Sequence, residues 1–255
     1  MDDNRYELIP ALSAQISDAM VDRLMQQSMH MMDDMLDYKE LLMMYGCAIR
    51  QVETKFRALN DEYQLRHKRN PISAIESRTK QSVSIMEKLQ RLGVPFSVES
   101  IEKNLHDVAG VRVICSFLDD IYTISEAFGR QSDVTVLETK DYIQAPKPNG
   151  YRSYHMIVSV PIFFSSRMKE MTVEVQLRTK AMDFWASLEH QVKYKHNVEN
   201  EAAIVARLTA CAEVIARTDG EMLAIRQEID KAADAHVSDE DVLMEKLRKL
   251  GMPFD

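Results

Sequence analysis

Apolar positions follow a helical period through the first sixty residues, a two-residue period through the middle of the chain, and a helical period again at the end. Leu12, Ile16, Met20 and Leu24 recur near helical spacing. Leu42, Tyr45, Ile49, Val52, Phe56, Leu59 and Tyr63 then step by three or four, as one buried face of a long helix must. That helix is expected to end before Asn70-Pro71. The segment from Gln81 to Leu92 predicts a helix closed by Gly93 ahead of Pro95, and a short helix follows from Val98 to His106. Strand character starts with VAGVRVICSFL at Val108 and returns at 134–139, 155–164 and 171–178, all rich in β-branched and aromatic residues. A helix from Asp120 to about Gly129 separates the first two strands, and a short connection joins the last two as a hairpin. A mixed sheet follows from those connections. After Thr179 the sequence AMDFWASLEHQVKYKH is helical. Beyond it Ile204, Leu208, Cys211, Ile215, Thr218, Met222, Ile225 and Ile229 alternate steps of four and three. Such a seam packs against another helix, either the chain's own N-terminal helices or a second subunit. The expected fold class is α+β, a mixed β-sheet flanked by helices with long N- and C-terminal helices.

Composition narrows what this fold can do. The 255 residues allow one substantial core, and a formal charge of −8 argues against coating nucleic acid or an anionic membrane. Cys47, Cys115 and Cys211 show no CxxC or CxxH spacing, which indicates neither a disulfide framework nor a zinc site and fits a reducing cytoplasm. No run approaches the ~20 apolar residues of a membrane span, and the start MDDNRYELIP lacks the pattern of an export signal. The methionines Met29, Met31, Met32, Met35, Met43 and Met44 are expected to fill the core.

The charge reverses locally between Arg66 and Arg91, where Arg66, Lys68, Arg69, Arg78, Lys80, Lys88 and Arg91 face only Glu76 and Glu87. Composition alone reads this as a solvated basic face. It also offers an anion site, because Ser84 and Lys88 are one helical turn apart and can converge with Arg78 and Lys80 on a polyphosphate. Neither GxxxxGK[ST] nor GxGxxG occurs, so any nucleotide must be held mainly by side chains. Two carboxylates stand out by position. Asp107 precedes the first strand, and Glu174 shares one face of the strand MTVEVQLR with Gln176 and Arg178. Arg112 points opposite to Val111 and Val113, so two strands can present polar groups to one site. Paired carboxylates facing a polyphosphate suit Mg²⁺, and the competing readings are a solvated sheet edge or a salt bridge. His106-Asp107 also invites a metal-dependent phosphohydrolase of the HD type, but His30 and His67 lack a matching ligand pattern. In KPNGYRSYH, residues 147–155, Pro148, Asn149 and Gly150 make a turn with Tyr151 at its tip, flanked by Lys147, Arg152 and His155. An aromatic there can stack a base, although hairpin turns often look alike.

Taken together, SRTKQSVSIMEKL (77–89), HDVAGVRVICSF (106–117), KDYIQAPKPNGYRSYHMIVSVPIF (140–163) and VEVQLRTKAMDFWASLEH (173–190) resemble the RelA/SpoT-type synthetase domain. The stand-alone, RelQ-type small alarmone synthetases are the nearest likeness, from about Tyr63 to Lys195. The resemblance implies a nucleotidyltransferase-like sheet and three regions: an N-terminal helical region at 1–62, the synthetase domain at 63–197 and a C-terminal helical, oligomerising region at 198–255. It implies transfer of the β,γ-pyrophosphate of ATP to the 3′-hydroxyl of GDP or GTP, with GMP a further acceptor, in the stringent response. By motif position, Arg78 and Arg112 would sandwich adenine, while Lys80, Ser84 and Lys88 would hold the ATP phosphates. Asp107 and Glu174 would be the catalytic, Mg²⁺-binding carboxylates, with Glu174 also taking the 3′-hydroxyl proton. Tyr151 would stack on guanine, supported by Lys147, Asn149, His155 and Gln176.

The resemblance also implies a synthetase without a hydrolase domain, a homotetramer formed through terminal helices, and guanosine tetra- or pentaphosphate as an allosteric ligand; it leaves single-stranded RNA as a further partner. Two alternatives stay open: a toxic relative that pyrophosphorylates tRNA or adenine nucleotides, and a non-catalytic nucleotide or RNA sensor.

Overall fold

The computed structural model describes residues 18–194, 201–235 and 246–249. Helix α1 (Asp18–His67) is followed by β1 (Ile72–Thr79), α2 (Ser82–Leu92), α3 (Val98–Asn104), β2 (Ala109–Cys115), α4 (Leu118–Gly129), β3 (Thr135–Asp141), β4 (Tyr154–Phe163), β5 (Met168–Thr179), α5 (Lys180–Tyr194) and α6 (Glu201–Ala235). The sheet order is β1-β2-β5-β4-β3. Only β2 and β5 run parallel, and the other neighbours are antiparallel, so the sheet is mixed as expected.

Local chemistry sets the ends of these elements. Gly93 closes α2 in the left-handed conformation at φ 69°, which spares the Cβ strain another residue would meet there. The Ser97 side chain accepts from Ser100 N at the start of α3. At α4 the Asp120 carboxylate accepts from Phe117 N at 3.1 Å. The predicted helix 98–106 stops at Asn104, which frees His106 and Asp107 to lead into β2.

The core lies between α1 and one face of the sheet. Leu41, Tyr45, Ala48, Val52 and Phe56 of α1 are buried against Val111, Val113, Val158, Val173 and Val175, and Phe56 stacks on Phe128 of α4 at 4.3 Å. Each of the larger aliphatic and Phe side chains contributes about 1.5–3 kcal/mol on burial. With α1 covering that face, the opposite face is left for polar residues.

Three readings of the sequence need correction. The segment 72–79 forms a strand that the sequence reading did not include. Its burial pattern is mostly exposed, because β1 is an edge strand whose Ser, Glu, Arg and Thr side chains give no apolar alternation. The methionines do not fill the core. Met29, Met31, Met32, Met35 and Met43 are exposed on α1, and only Met44 is buried. Their half of α1 extends past the sheet, where helical spacing finds nothing described to pack on. The C-terminal seam is split. Ile204, Leu208 and Ile215 are half-buried, while Met222, Ile225 and Ile229 are exposed. The inward face of α6 instead runs through Ala212, Asp219 and Arg226 toward α5 and α4. Met20 and Leu24 fall within α1, whereas Leu12 and Ile16 lie outside the described residues. Among the described residues no helix is long and apolar enough to cross a membrane.

Candidate active site

Strand register builds two polar rows across the uncovered face of the sheet. Glu76, Arg112, Gln176, His155 and Lys140 are successive cross-strand partners on all five strands. Arg78, Gly110, Glu174, Ile157 and Glu138 form the row beside them. Period-two alternation keeps both rows on one face and sends Val111, Val113, Val173 and Val175 into the core.

Two cavities open on this face. One of about 280 Å³ is lined by Glu76, Arg78, Lys80, Asp107, Arg112, Glu174 and Gln176, among others. The other, of about 160 Å³, is lined by Glu138, Lys140, Tyr142, Lys147, His155, Ile157 and Glu174. Glu174 belongs to both.

At the larger cavity Asp107 receives Lys80 Nζ on Oδ2, and Lys88 Nζ, from outside the lining, stands beside Oδ1, each at 2.8 Å. Burial works to raise the Asp107 pKa, but the two ammonium groups more than reverse it and hold the carboxyl below its ordinary range. Arg78 is exposed on edge strand β1, and Arg112 stands one strand further in. Ser84 is half-buried one turn before Lys88 on α2 but does not line the cavity.

His155 and Glu174 of the smaller cavity belong to a closed ring of polar contacts whose other members, Tyr151, Arg178 and Gln176, stand outside its lining. Arg178 Nη2 donates to Tyr151 Oη and to Gln176 Oε1, both at 2.8 Å. Gln176 Nε2 donates to Glu174 Oε2 at 2.9 Å. His155 bridges back, with Nε2 2.8 Å from Tyr151 Oη and Nδ1 3.4 Å from Glu174 Oε1. Burial pushes the Glu174 pKa up, yet His155 and the Gln176 hydrogen bond outweigh that and leave it lowered, against some opposition from Asp107. Tyr142, Tyr151 and His155 pack edge to face, and Lys147 Nζ lies over the Tyr142 and Tyr151 rings at 4.6 and 5.0 Å.

The Tyr151 loop is seated on the C-terminal helix. Gly150 N donates to Lys147 O at 2.8 Å and closes the turn, while Gly150 has φ 89°. A Cβ there would stand 2.6 Å from Ala212 Cβ and 3.3 Å from Thr209 Cα, so α6 comes close to bare backbone. Tyr151 packs with Trp185, Ala186, Leu208, Ala212 and Ile215 rather than standing at a free tip. Asn149 serves the turn: its Oδ1 accepts from Tyr151 N, and its Nδ2 donates to Glu189 of α5 at 3.1 Å. It does not line the cavity.

Register thus brings Asp107, Glu174, Arg78, Lys80, Arg112 and Gln176 to one cavity, and Lys147 and His155 to the other. Sequence reasoning missed Tyr142, Lys140 and Glu138. Tyr142 had a signal in the segment KDYIQ, where the Asp141 carboxylate accepts from Ile143 N and Gln144 N and turns the chain beside the ring. It also placed Arg178 only on a polar face and gave Asp183 no role.

Comparison with known proteins identifies the family. Residues 77–199 match the region found in RelA / SpoT proteins. The chain is 41% identical over 210 residues to the GTP pyrophosphokinase YwaC of Bacillus subtilis, an alignment covering 81% of this chain and all of that one. It is 36% identical to the GTP pyrophosphokinase YjbM of the same organism, covering 80% of this chain and 95% of that one. Among solved structures, small alarmone synthetase 2 from B. subtilis superposes with a TM-score of 0.68 at 40% identity, covering 75% of this chain and 99% of that one. Small alarmone synthetase 1 from B. subtilis bound to its product pppGpp gives 0.68 at 35% identity, over 76% and 98%.

Proposed function

The chain belongs to the RelA/SpoT family, in its small alarmone synthetase branch, and from that premise we propose that it moves the β,γ-pyrophosphate of ATP to the 3′-hydroxyl of GDP or GTP. The observation that carries the reading is Glu174, the one carboxylate lining both cavities. A group placed there meets donor and acceptor together.

The larger cavity is the ATP side in this reading. Arg78 and Arg112 offer guanidinium planes to adenine, and Lys80, Ser84 and Lys88 take the phosphates. Asp107 holds both lysines until phosphate oxygens compete for them. The smaller cavity is the acceptor side, where Lys147 and His155 receive polar edges or phosphates; Tyr151, beside it against both of them, stacks on guanine, and Gln176 supports the site through Glu174. Asn149 acts there by shaping the turn.

Asp107 and Glu174 suit Mg²⁺, because two hard carboxylates on one cavity leave the remaining ligands to phosphate and water. When bound, the ion would supply charge neutralisation on the transferring group. The side chains align the reactants, and Glu174 accepts a hydrogen bond from the attacking hydroxyl.

The test is a product assay. Purified protein with Mg²⁺, ATP and GDP or GTP is expected to yield AMP and a 3′-pyrophosphorylated guanine nucleotide, and to yield neither when the metal is chelated. Failure with GDP, GTP and GMP alike would overturn the reading; transfer to tRNA or an adenine nucleotide would install the toxic-relative alternative, and binding without turnover the sensor.

Assembly is part of the proposal. Met222, Ile225 and Ile229 are exposed in a stripe on α6, and Met25, Met29, Met32 and Leu36 in another on α1. Both faces suit a homotetramer through the terminal helices. Met222→Glu with Ile225→Glu is expected to drop the mass seen by light scattering to that of smaller species; an unchanged mass would remove α6 from the interface. The free Cys47, Cys115 and Cys211 support a cytoplasmic location. A guanosine tetra- or pentaphosphate effector and single-stranded RNA remain candidate ligands of the assembly.

A further inference from the structure

Asp183 opens the first turn of α5 and touches both halves of the site. Its Oδ1 accepts from Arg178 Nη1 at 2.9 Å and lies 3.2 Å from Arg112 Nη1. Arg112 lines the donor cavity, and Arg178 donates to Tyr151 and Gln176, which in turn contact the acceptor-cavity residues His155 and Glu174. One carboxylate oxygen therefore holds a guanidinium from each side. We infer that Asp183 and Arg178 couple the two nucleotide subsites, so that filling one cavity orders the other.

The exposures show which contacts can transmit. Arg112 has a second carboxylate, Glu76, at 3.2 Å, but the Glu76 side chain is 60% exposed, whereas Asp183 is 19% and Arg178 only 6% exposed. A solvated partner is exchanged freely, and a buried one is not. Asp183 is the carboxylate that Arg178 meets among the described residues, so Arg178 follows it.

Arg178 then sets the direction of the whole ring, because a guanidinium only donates. Tyr151 Oη accepts from it and lies 2.8 Å from His155 Nε2, and His155 Nδ1 faces Glu174 Oε1 at 3.4 Å. Gln176 accepts on Oε1 and donates from Nε2 to Glu174. Tyr151 and Gln176 are held by one cation, and each carries its placement to Glu174, Tyr151 by way of His155 and Gln176 directly. A donor base stacked on the Arg112 plane fixes that guanidinium and hence Asp183 and Arg178, and ordering done for the first nucleotide need not be repeated for the second. Arg178 and Asp183 are positioning residues in this scheme.

The inference rests on the larger cavity being the donor subsite and the smaller one the acceptor subsite. Calorimetric titration of the full chain with a non-hydrolysable ATP analogue and Mg²⁺, with and without saturating GDP, tests it. GDP is expected to tighten analogue binding about 5-fold or more, and the analogue to tighten GDP by the same factor. In Asp183→Asn that factor is expected to fall to about one, while analogue affinity without GDP changes by less than roughly threefold, since Glu76 still holds Arg112. Asp183→Glu is expected to keep a measurable part of the coupling, which a merely structural defect would not. If Asp183→Asn does not fold, Arg178→Lys serves instead, because an ammonium keeps the charge but cannot span Asp183, Tyr151 and Gln176 together. Coupling that persists in the substituted protein, or nucleotides that bind the wild type independently, would overturn the inference and leave the proposed function standing. Failure of both nucleotides to bind the wild type would overturn both.

Discussion

Glu174→Gln is expected to lower kcat by roughly 10²–10⁴-fold while leaving ATP binding nearly intact. The replacement is isosteric, so the Gln176 Nε2 hydrogen bond and the β5 register with Gly110 and Ile157 can survive it. What disappears is the negative charge between the two cavities. His155 and Gln176 hold the Glu174 carboxyl below its ordinary range despite burial, which keeps it ionised but makes it a weak base. Pyrophosphoryl transfer through a loose transition state needs little proton removal at the start. Glu174 therefore acts mainly by orienting the 3′-hydroxyl and contributing charge toward a metal, with proton transfer late. Steady-state kinetics with both substrates saturating, beside titration of an ATP analogue, check this. A kcat within tenfold of wild type would remove Glu174 from the centre of the reaction.

Much of the fold could be read because burial and period coincide. The face from Tyr45 to Leu59 and the Val-rich strands β2 and β5 face one core, so their alternation is clean. The strand at 72–79 could not be read in this way. It buries little on either face, and its charges are selected by the site rather than by the sheet. The α1 methionines and the outer half of the α6 seam mislead for the opposite reason: their period is helical, but the surface they suit lies outside the chain's own core. Periodicity shows that a face is apolar without showing what covers it.

The site was legible where one residue type has one use. Asp107 before a strand, Glu174 alternating with core valines, and Arg78, Lys80, Arg112 and Lys147 line the two cavities, while Lys88 reaches only Asp107. Tyr142, Arg178 and Asp183 were not legible, because each acts through partners distant in the chain. Arg178 is read correctly only after Tyr151 and Asp183 are known to meet it at 2.8 and 2.9 Å. Asn149 shows the converse, since a residue placed in the acceptor site by motif turns out to brace the loop against Glu189.

That bracing makes Gly150 the most sensitive point of the acceptor loop. Gly150→Ala is expected to raise the acceptor KM by roughly 5- to 150-fold, the equivalent of about 1–3 kcal/mol of backbone strain, with ATP affinity changed far less. Two separate effects add. The residue sits at φ 89°, where an L side chain is strained, and its Cβ would stand 2.6 Å from Ala212 Cβ and 3.3 Å from the α6 backbone at Thr209. Helix backbone cannot yield cheaply, because α6 is anchored beyond this point by Asp219 on Thr179 and by Arg226 on Asp119. The loop must lift instead, taking Tyr151 away from Arg178 and His155. The two effects can be separated by adding Ala212→Gly, which removes the Cβ contact and leaves the strain. The double variant is expected to recover part of the acceptor affinity but not all of it. Full recovery would mean that contact with α6 alone sets the loop, and no recovery that the left-handed backbone does; an unchanged acceptor KM in Gly150→Ala would mean that the loop does not form the acceptor site.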